Sequence, residues 1–399
     1  TLWHTLSLHD ALPIWFSGST AEISDGTITV SGHWLFENDI DAQFTTANTV
    51  NFTGDGNQFI YYQDDDAEFG NLNCNQTDGS IWLHSTSTDT MRVAGNMTIL
   101  ERSFHIQSED LLVDGILDIQ TGTEIDLAGS GSLTNISDFS QAGTLDVGVG
   151  SSFFHGNYQL EETGTLTITS GELICDEPYE DDTYCSINGT LNQSGGLLEI
   201  SNNSLLIGAT CTDNVSDGII RCSGFSATNA GTFEPTGGTV NIQGTLEGFL
   251  MGIQCDNGNY FNNLLVTSDY IDSGAIMQRD LNVTNNLEIQ SGDFKIWNWE
   301  LNVANDIIIA GGLIMDYVDG IINAGDEFGD EIRWESGSEV VYEPRATINV
   351  YGDWIFEEGT EAQFGLESTI NFMGAHNQFI TCQDEDAEFG YVNCNQTAD

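Results

Sequence analysis

The densest chemistry-bearing cluster in this chain is Asp64, Asp65, Asp66 and Glu68, and it recurs as Asp384, Glu385, Asp386 and Glu388. Carboxylates packed this closely repel one another unless a cation or solvent screens them. Oxygen-rich loops bind calcium, so each copy is a candidate calcium site. The competing reading is a solvated turn, because the chain has neither EF-hand spacing nor a GGxGxDxUx array. Asp176, Glu177, Glu180, Asp181 and Asp182 form a similar cluster, as do Asp326, Glu327, Asp330 and Glu331. The same two readings apply to them.

Thiols are the second candidate chemistry. The chain has 8 cysteines and no CxxC pair, so zinc and redox motifs are unsupported. Cys175/Cys185 and Cys211/Cys222 each enclose a short turn-rich acidic loop. A disulfide closing each loop suits an exported protein; the alternative is free thiols buried in a stacked core. Histidines 33, 84, 105, 155 and 376 are scattered, and neither Gly-x-Ser-x-Gly nor HExxH occurs.

Charge narrows the partners. There are 62 acidic residues against 7 basic ones, for a formal charge of -55. Nothing here neutralises a phosphate backbone, so nucleic acid is excluded as a partner, and anionic membrane surfaces with it. No apolar run approaches the ~18 residues of a membrane span, so no membrane insertion is expected. A hydrophobic fraction of 39% is ample for a core. Such acidity suits solubility in a salty or calcium-rich exterior. Sequons such as Asn51-Phe-Thr and Asn188-Gly-Thr follow from an Asn- and Thr-rich composition.

The elements that must carry these residues are short strands. Thr27-Ile-Thr-Val, Thr49-Val-Asn-Phe, Ile116-Leu-Asp-Ile, Thr144-Leu-Asp-Val, Thr165-Leu-Thr-Ile, Thr239-Val-Asn-Ile and Thr347-Ile-Asn-Val alternate with period two. Gly, Asn, Asp or Ser flank each one and supply turns. Strand starts after glycine fall at Gly115, Gly143, Gly164, Gly189, Gly231 and Gly238. Their intervals cluster near one or two times ~20–28 residues, the length of one coil of a parallel β-solenoid. The fold class expected is all-β, a right-handed parallel β-helix forming a single elongated repeat domain. Stacked coils also predict ladders of hydrogen-bonded Asn side chains.

Residues 32–77 return as residues 352–397 at a constant offset of 320, with 27 of 46 positions identical. A diverged third unit begins at Thr239. The chain stops inside the second copy, which reads as a fragment of a longer repeat protein. Its opening needs separate treatment: Thr5 to Ile14, TLSLHDALPI, resembles the conceptual translation of a common sequencing adaptor. Residues 1–14 are therefore expected to be non-native, with a continuous solenoid over 15–399. Repeated aromatics, Trp34, Phe36 and Phe44 with Trp354, Phe356 and Phe364, are expected in the core or at its ends. Sugar stacking is the alternative for them and for Trp297 and Trp299, read as sharing one strand face.

The run Thr-(Val/Ile)-Asn-Phe-x-Gly-x-x-Asn-Gln-x-Ile, followed by segments such as Tyr260-Phe-Asn-Asn-Leu-Leu-Val, resembles a recurring element of adhesin-like parallel β-helix proteins of bacterial cell surfaces. Many of those proteins are exported by the type IX secretion system. The resemblance covers most of residues 26–397 and is a style of repeat, not a catalytic signature. It implies a secreted or cell-surface bacterial protein that is structural or adhesive and contacts a matrix, a glycan or a cell-surface ligand multivalently along a rigid rod.

The rival is a carbohydrate-active β-helix enzyme, a polysaccharide lyase or glycoside hydrolase. Pectate-lyase-like enzymes use an Arg or Lys base, whereas the seven basic residues here are isolated. Polygalacturonase-like enzymes carry Gly-His-Gly and Arg-x-Lys, and this chain has neither. Paired carboxylates alone can serve as acid and base, but 62 acids make any chosen pair weak. The expectation is therefore a non-enzyme, with calcium as the one cofactor to test and a calcium-dependent surface-assembly protein as the further alternative.

Overall fold

The computed structural model describes residues 5–8, 14–15, 20–23, 25–37, 41–63, 68–85, 90–137, 139–176, 185–228, 232–245, 247–256, 258–270, 273–315, 320–325, 329–342, 346–362, 364, 367–385 and 388–396. Among them every regular element is a β-strand and every strand pairing is parallel. No helix there is long and apolar enough to cross a membrane. The β-solenoid expected from the spacing is thus the observed fold. Contacts divide the chain into two units, Thr1–Ser201 and Asn202–Asp399.

In the first unit one inward column runs Ile28, Val50, Leu72, Met97, Leu117, Phe139 and Tyr158, each hydrogen-bonded in register to the next. All seven are buried. The steps, 22, 22, 25, 20, 22 and 19 residues, match the coil length anticipated. Period-two alternation turns every second side chain inward, so each coil drops its apolar residues onto those of its neighbour. Burying each Leu, Ile, Val or Phe contributes about 1.5–3 kcal/mol. The adaptor-like segment supplies a strand, Thr5–Leu8, paired in parallel with Gly26–Val30.

Corners explain the glycine spacing. A Cβ at Gly164 would stand 2.5 Å from the Gln141 carbonyl oxygen, and one at Gly189 would stand 2.3 Å from that of Gly164. The neighbouring coil passes too close for any side chain. Interior amides then satisfy the bends: Gln141 Nε2 donates to the carbonyls of Gly143 (3.1 Å) and Thr165 (2.7 Å), while its Oε1 accepts from the Tyr158 hydroxyl (2.7 Å).

In the second unit the column Leu281, Leu301, Ile322, Ile348, Ile370 and Val392 keeps the same order, at steps of 20, 21, 26, 22 and 22. One position further on, the expected Asn ladder faces outward. Asn302 Nδ2 donates to Asn282 Oδ1 (3.0 Å), Asn323 to Asn302 (2.7 Å), Asn349 to Asn323 (2.6 Å), Asn371 to Asn349 (2.8 Å) and Asn393 to Asn371 (2.9 Å).

Candidate functional site

The acidic turns separate once placed in the fold. Asp64, Asp65, Asp66 and Asp386 lie outside the described residues. Glu68 is engaged by Arg92, whose Nη1 stands 3.5 Å from Glu68 Oε2. The same guanidinium donates to Asp114 Oδ2 from Nε (2.8 Å) and Nη2 (2.5 Å). Asp384 is occupied by backbone: its Oδ2 accepts from the amides of Gly359 (2.6 Å) and Thr360 (2.9 Å). Glu385 and Glu388 are exposed. Of the other clusters, Glu177, Glu180, Asp181, Asp182, Asp326 and Glu327 lie outside the described residues. Glu331 pairs with Arg333 at 2.6 Å. Among the described residues no three His, Cys, Asp or Glu side chains gather as a metal site.

Cys175, Cys185, Cys211 and Cys222, the expected disulfide partners, are all buried. Alternation places Cys175, Cys185 and Cys222 on the inward side of their strands, with Cys175 in register with Phe154 and Cys222 with Ile242, while Cys211 stands just before the strand Thr212–Ala227. Burial pushes the Cys211 and Cys222 thiols up to about 12. The Tyr158 phenol is pushed well up by burial and then by the nearby Cys185 and Cys175.

The repeated aromatics are core, as expected. Trp34 packs against Phe36, Phe44, Phe52 and Phe69 at 5.3–6.3 Å between ring centroids. Trp354 repeats this against Phe356, Phe364, Phe372 and Phe389. Trp297 and Trp299 differ from their expectation. They lie in the bend between Asp293–Lys295 and Glu300–Val303, not on a strand, and Trp297 is exposed. The strand ends early because the chain must turn after Ile296.

A different set of side chains gathers on the outward face of the first unit. In parallel register, Phe59 pairs with Trp82, Trp82 with His105, His105 with Asp126, and Asp126 with Asp146. His33 extends this column, with its Nδ1 accepting the Phe59 amide at 3.0 Å. Beside it Tyr61 pairs with His84. The rings touch: His33–Phe59 at 5.2 Å, Phe59–Tyr61 stacked at 5.8 Å, Tyr61–His84 edge-on at 5.5 Å, and Trp82–His105 stacked at 4.0 Å. All but exposed His84 are half-buried, so their edges and faces reach solvent.

The stripe runs into carboxylates. His105 Nδ1 lies 2.9 Å from Asp126 Oδ2, within hydrogen-bond distance; in the Nδ1-protonated tautomer the ring donates and the carboxylate accepts. Glu124 Oε2 accepts from the Ser103 hydroxyl at 3.0 Å. Partial burial, then the charges of Asp126 and Glu124, raise the Asp146 carboxyl above its usual range. Planar aromatic surface beside fixed acceptors suits the apolar face and hydroxyls of a sugar ring. Individual residues missed this stripe; the signal was Phe59, Trp82 and His105, each 23 residues from the next.

The comparisons with known proteins found no matching family model, curated protein or solved structure.

Proposed function

We propose that this is a structural or adhesive repeat protein of the bacterial exterior that holds glycan on the outward faces of its coils. The observation that carries this reading is the contiguous stripe from His33 through Phe59, Tyr61 and Trp82 to His105 and Asp126. Coils that bury apolar residues inward have no packing need for four aromatic or imidazole rings in register outside. A formal charge of -55 favours uncharged polymers over nucleic acid or anionic surfaces. Repetition of coils supports multivalent weak contacts. The test is co-sedimentation with insoluble neutral polysaccharides: the parent protein pellets with at least one, and Tyr61→Ala/Trp82→Ala does not. Equal pelleting of both sinks the reading.

A second reading, a glycoside hydrolase, is favoured by one observation. Asp126 and Asp146 sit in register on adjacent coils, and burial and the neighbouring acids shift the Asp146 carboxyl upward, the direction that favours a general acid. Release of reducing sugar by the parent and not by Asp146→Asn would support it. No release from any polysaccharide that the protein binds would reject it.

A further inference from the structure

We infer that the second unit carries a binding trough for an uncharged oligosaccharide, between the Asn ladder and a recessed column of small residues. The inference deepens the glycan reading above and concerns a separate set of residues. Its starting point is a cleft of about 460 Å³, within the range of small-ligand sites. Two outward columns form it. One is Tyr260, Asn282, Asn302 and Asn323, with Phe261 bridged in parallel to Val283 so that Tyr260 stands one rung before Asn282. The other is Thr284, Ala304 and Gly325, whose amides bond successively to Phe261, Val283 and Val303.

The small column sets the depth. Ala304 and Gly325 project little, so the floor falls below the amide column beside it. Gly325 is required as well as small: its φ is +76° and a Cβ would stand 3.0 Å from Asp330 Cβ. The next residue in this column is Tyr351, whose amide bonds to Ala324. Tyr260 therefore stands at one end of a three-rung recess and Tyr351 at the other, with rungs spaced about 4.8 Å.

The lining selects the ligand class. Hydrogen bonds along the ladder fix which end of each amide is oxygen and which is nitrogen. Asn323 spends both Nδ2 hydrogens, on Asn302 Oδ1 and on Glu300 Oε1 (each 2.7 Å), and is thereby held in place. Asn282 Oδ1 accepts from Asn302 and, at the end of the ladder beside Tyr260, lines the cleft. The Tyr260 hydroxyl donates to the Glu234 carbonyl at 3.4 Å, which steadies the ring at the head of the recess. Fixed amide donors and acceptors beside an aromatic ring match vicinal hydroxyls and an apolar sugar face. Among the described residues none that lines the cleft carries a charge, and the neighbouring Glu300 carboxylate is bonded to Asn323 Nδ2. That carboxylate is taken up by Asn323 rather than presented to a ligand, and an anion meets a chain of formal charge -55.

The experiment is titration calorimetry with neutral cello-, xylo- and mannopentaose and with pentagalacturonate. The expected result is binding of at least one neutral pentasaccharide, weakened tenfold or more by Ala304→Arg, which fills the recess from outside the core, and by Tyr260→Ala. The titrations are run in the Tyr61→Ala/Trp82→Ala background, so that the stripe contributes nothing and the trough is read alone. No binding by any neutral pentasaccharide overturns the trough, as does tighter binding of pentagalacturonate or indifference to Ala304→Arg. Each of those results leaves the Trp82 stripe to stand or fall on its own co-sedimentation.

Discussion

His33 and Asp353 are different residues that make the same hydrogen bond. His33 Nδ1 accepts the Phe59 amide at 3.0 Å, and Asp353 Oδ1 accepts the Phe379 amide at 2.8 Å, 320 residues further on. Around each, the equivalent glutamine braces the same bend. Gln58 Nε2 donates to the Val30 and Gly32 carbonyls (3.2 and 2.6 Å), and Gln378 Nε2 to those of Val350 and Gly352 (2.9 Å each). The repeat preserves an acceptor at this corner, not an imidazole. His33→Asp should therefore change stability by less than about 0.5 kcal/mol. His33→Ala leaves a half-buried donor unsatisfied and should cost about 1 kcal/mol. Denaturant unfolding of the two variants checks this; equal losses would deny the acceptor role.

Asp146 predicts a pH dependence of known sign. Its folded carboxyl is raised above the unfolded value, so the native state holds its proton more tightly. That contribution is fully present below the unfolded pKa and is lost as pH rises through the raised one. Asp146→Asn should raise the melting temperature at pH 7 by about 2 °C and change it little at pH 3. A variant less stable than the parent at pH 7 would contradict the burial and charge effects assigned here.

Thiol accessibility tests the inward placement of the cysteines. Cys382 and Cys394 are exposed, whereas Cys74, Cys175, Cys185, Cys211, Cys222 and Cys255 are buried. Burial also pushes Cys255 up to about 12, leaving almost no thiolate near neutral pH. Iodoacetamide at pH 8 should add two groups to the native protein and eight after unfolding without reductant. Six after unfolding would show that one loop-closing pair had oxidised.

Metal removal addresses the acidic turns. Glu68 is already paired with Arg92, and Asp384 with two backbone amides. Chelation should leave the melting temperature unchanged. A fall of several degrees, restored by calcium, would instead support the calcium reading of the Asp64 and Asp384 clusters.

The solenoid was legible because its causes are local. Alternation such as Thr347-Ile-Asn-Val fixes inward and outward faces, and glycines such as Gly143 and Gly164 mark corners where the next coil passes closely. The Asn ladder followed from the same stacking. The stripe was harder to read because Trp34 and Trp82 look alike in sequence. Trp34 shares the inward parity of Phe36, whereas Trp82 sits between inward Ile81 and Leu83 and so points out. Only the register between coils sets Trp82 against Phe59 and His105. The half-buried Asp126 and Asp146 looked like any other strand acids in sequence.

The measurement closest to the central claim is the dissociation constant of Tyr61→Ala/Trp82→Ala relative to the parent, on a neutral polysaccharide that retains the parent. Stacking on these rings predicts at least tenfold weaker binding, about 1.4 kcal/mol, with an unchanged circular dichroism spectrum and melting temperature. Equal affinity in a folded double variant would contradict glycan recognition by the outward stripe.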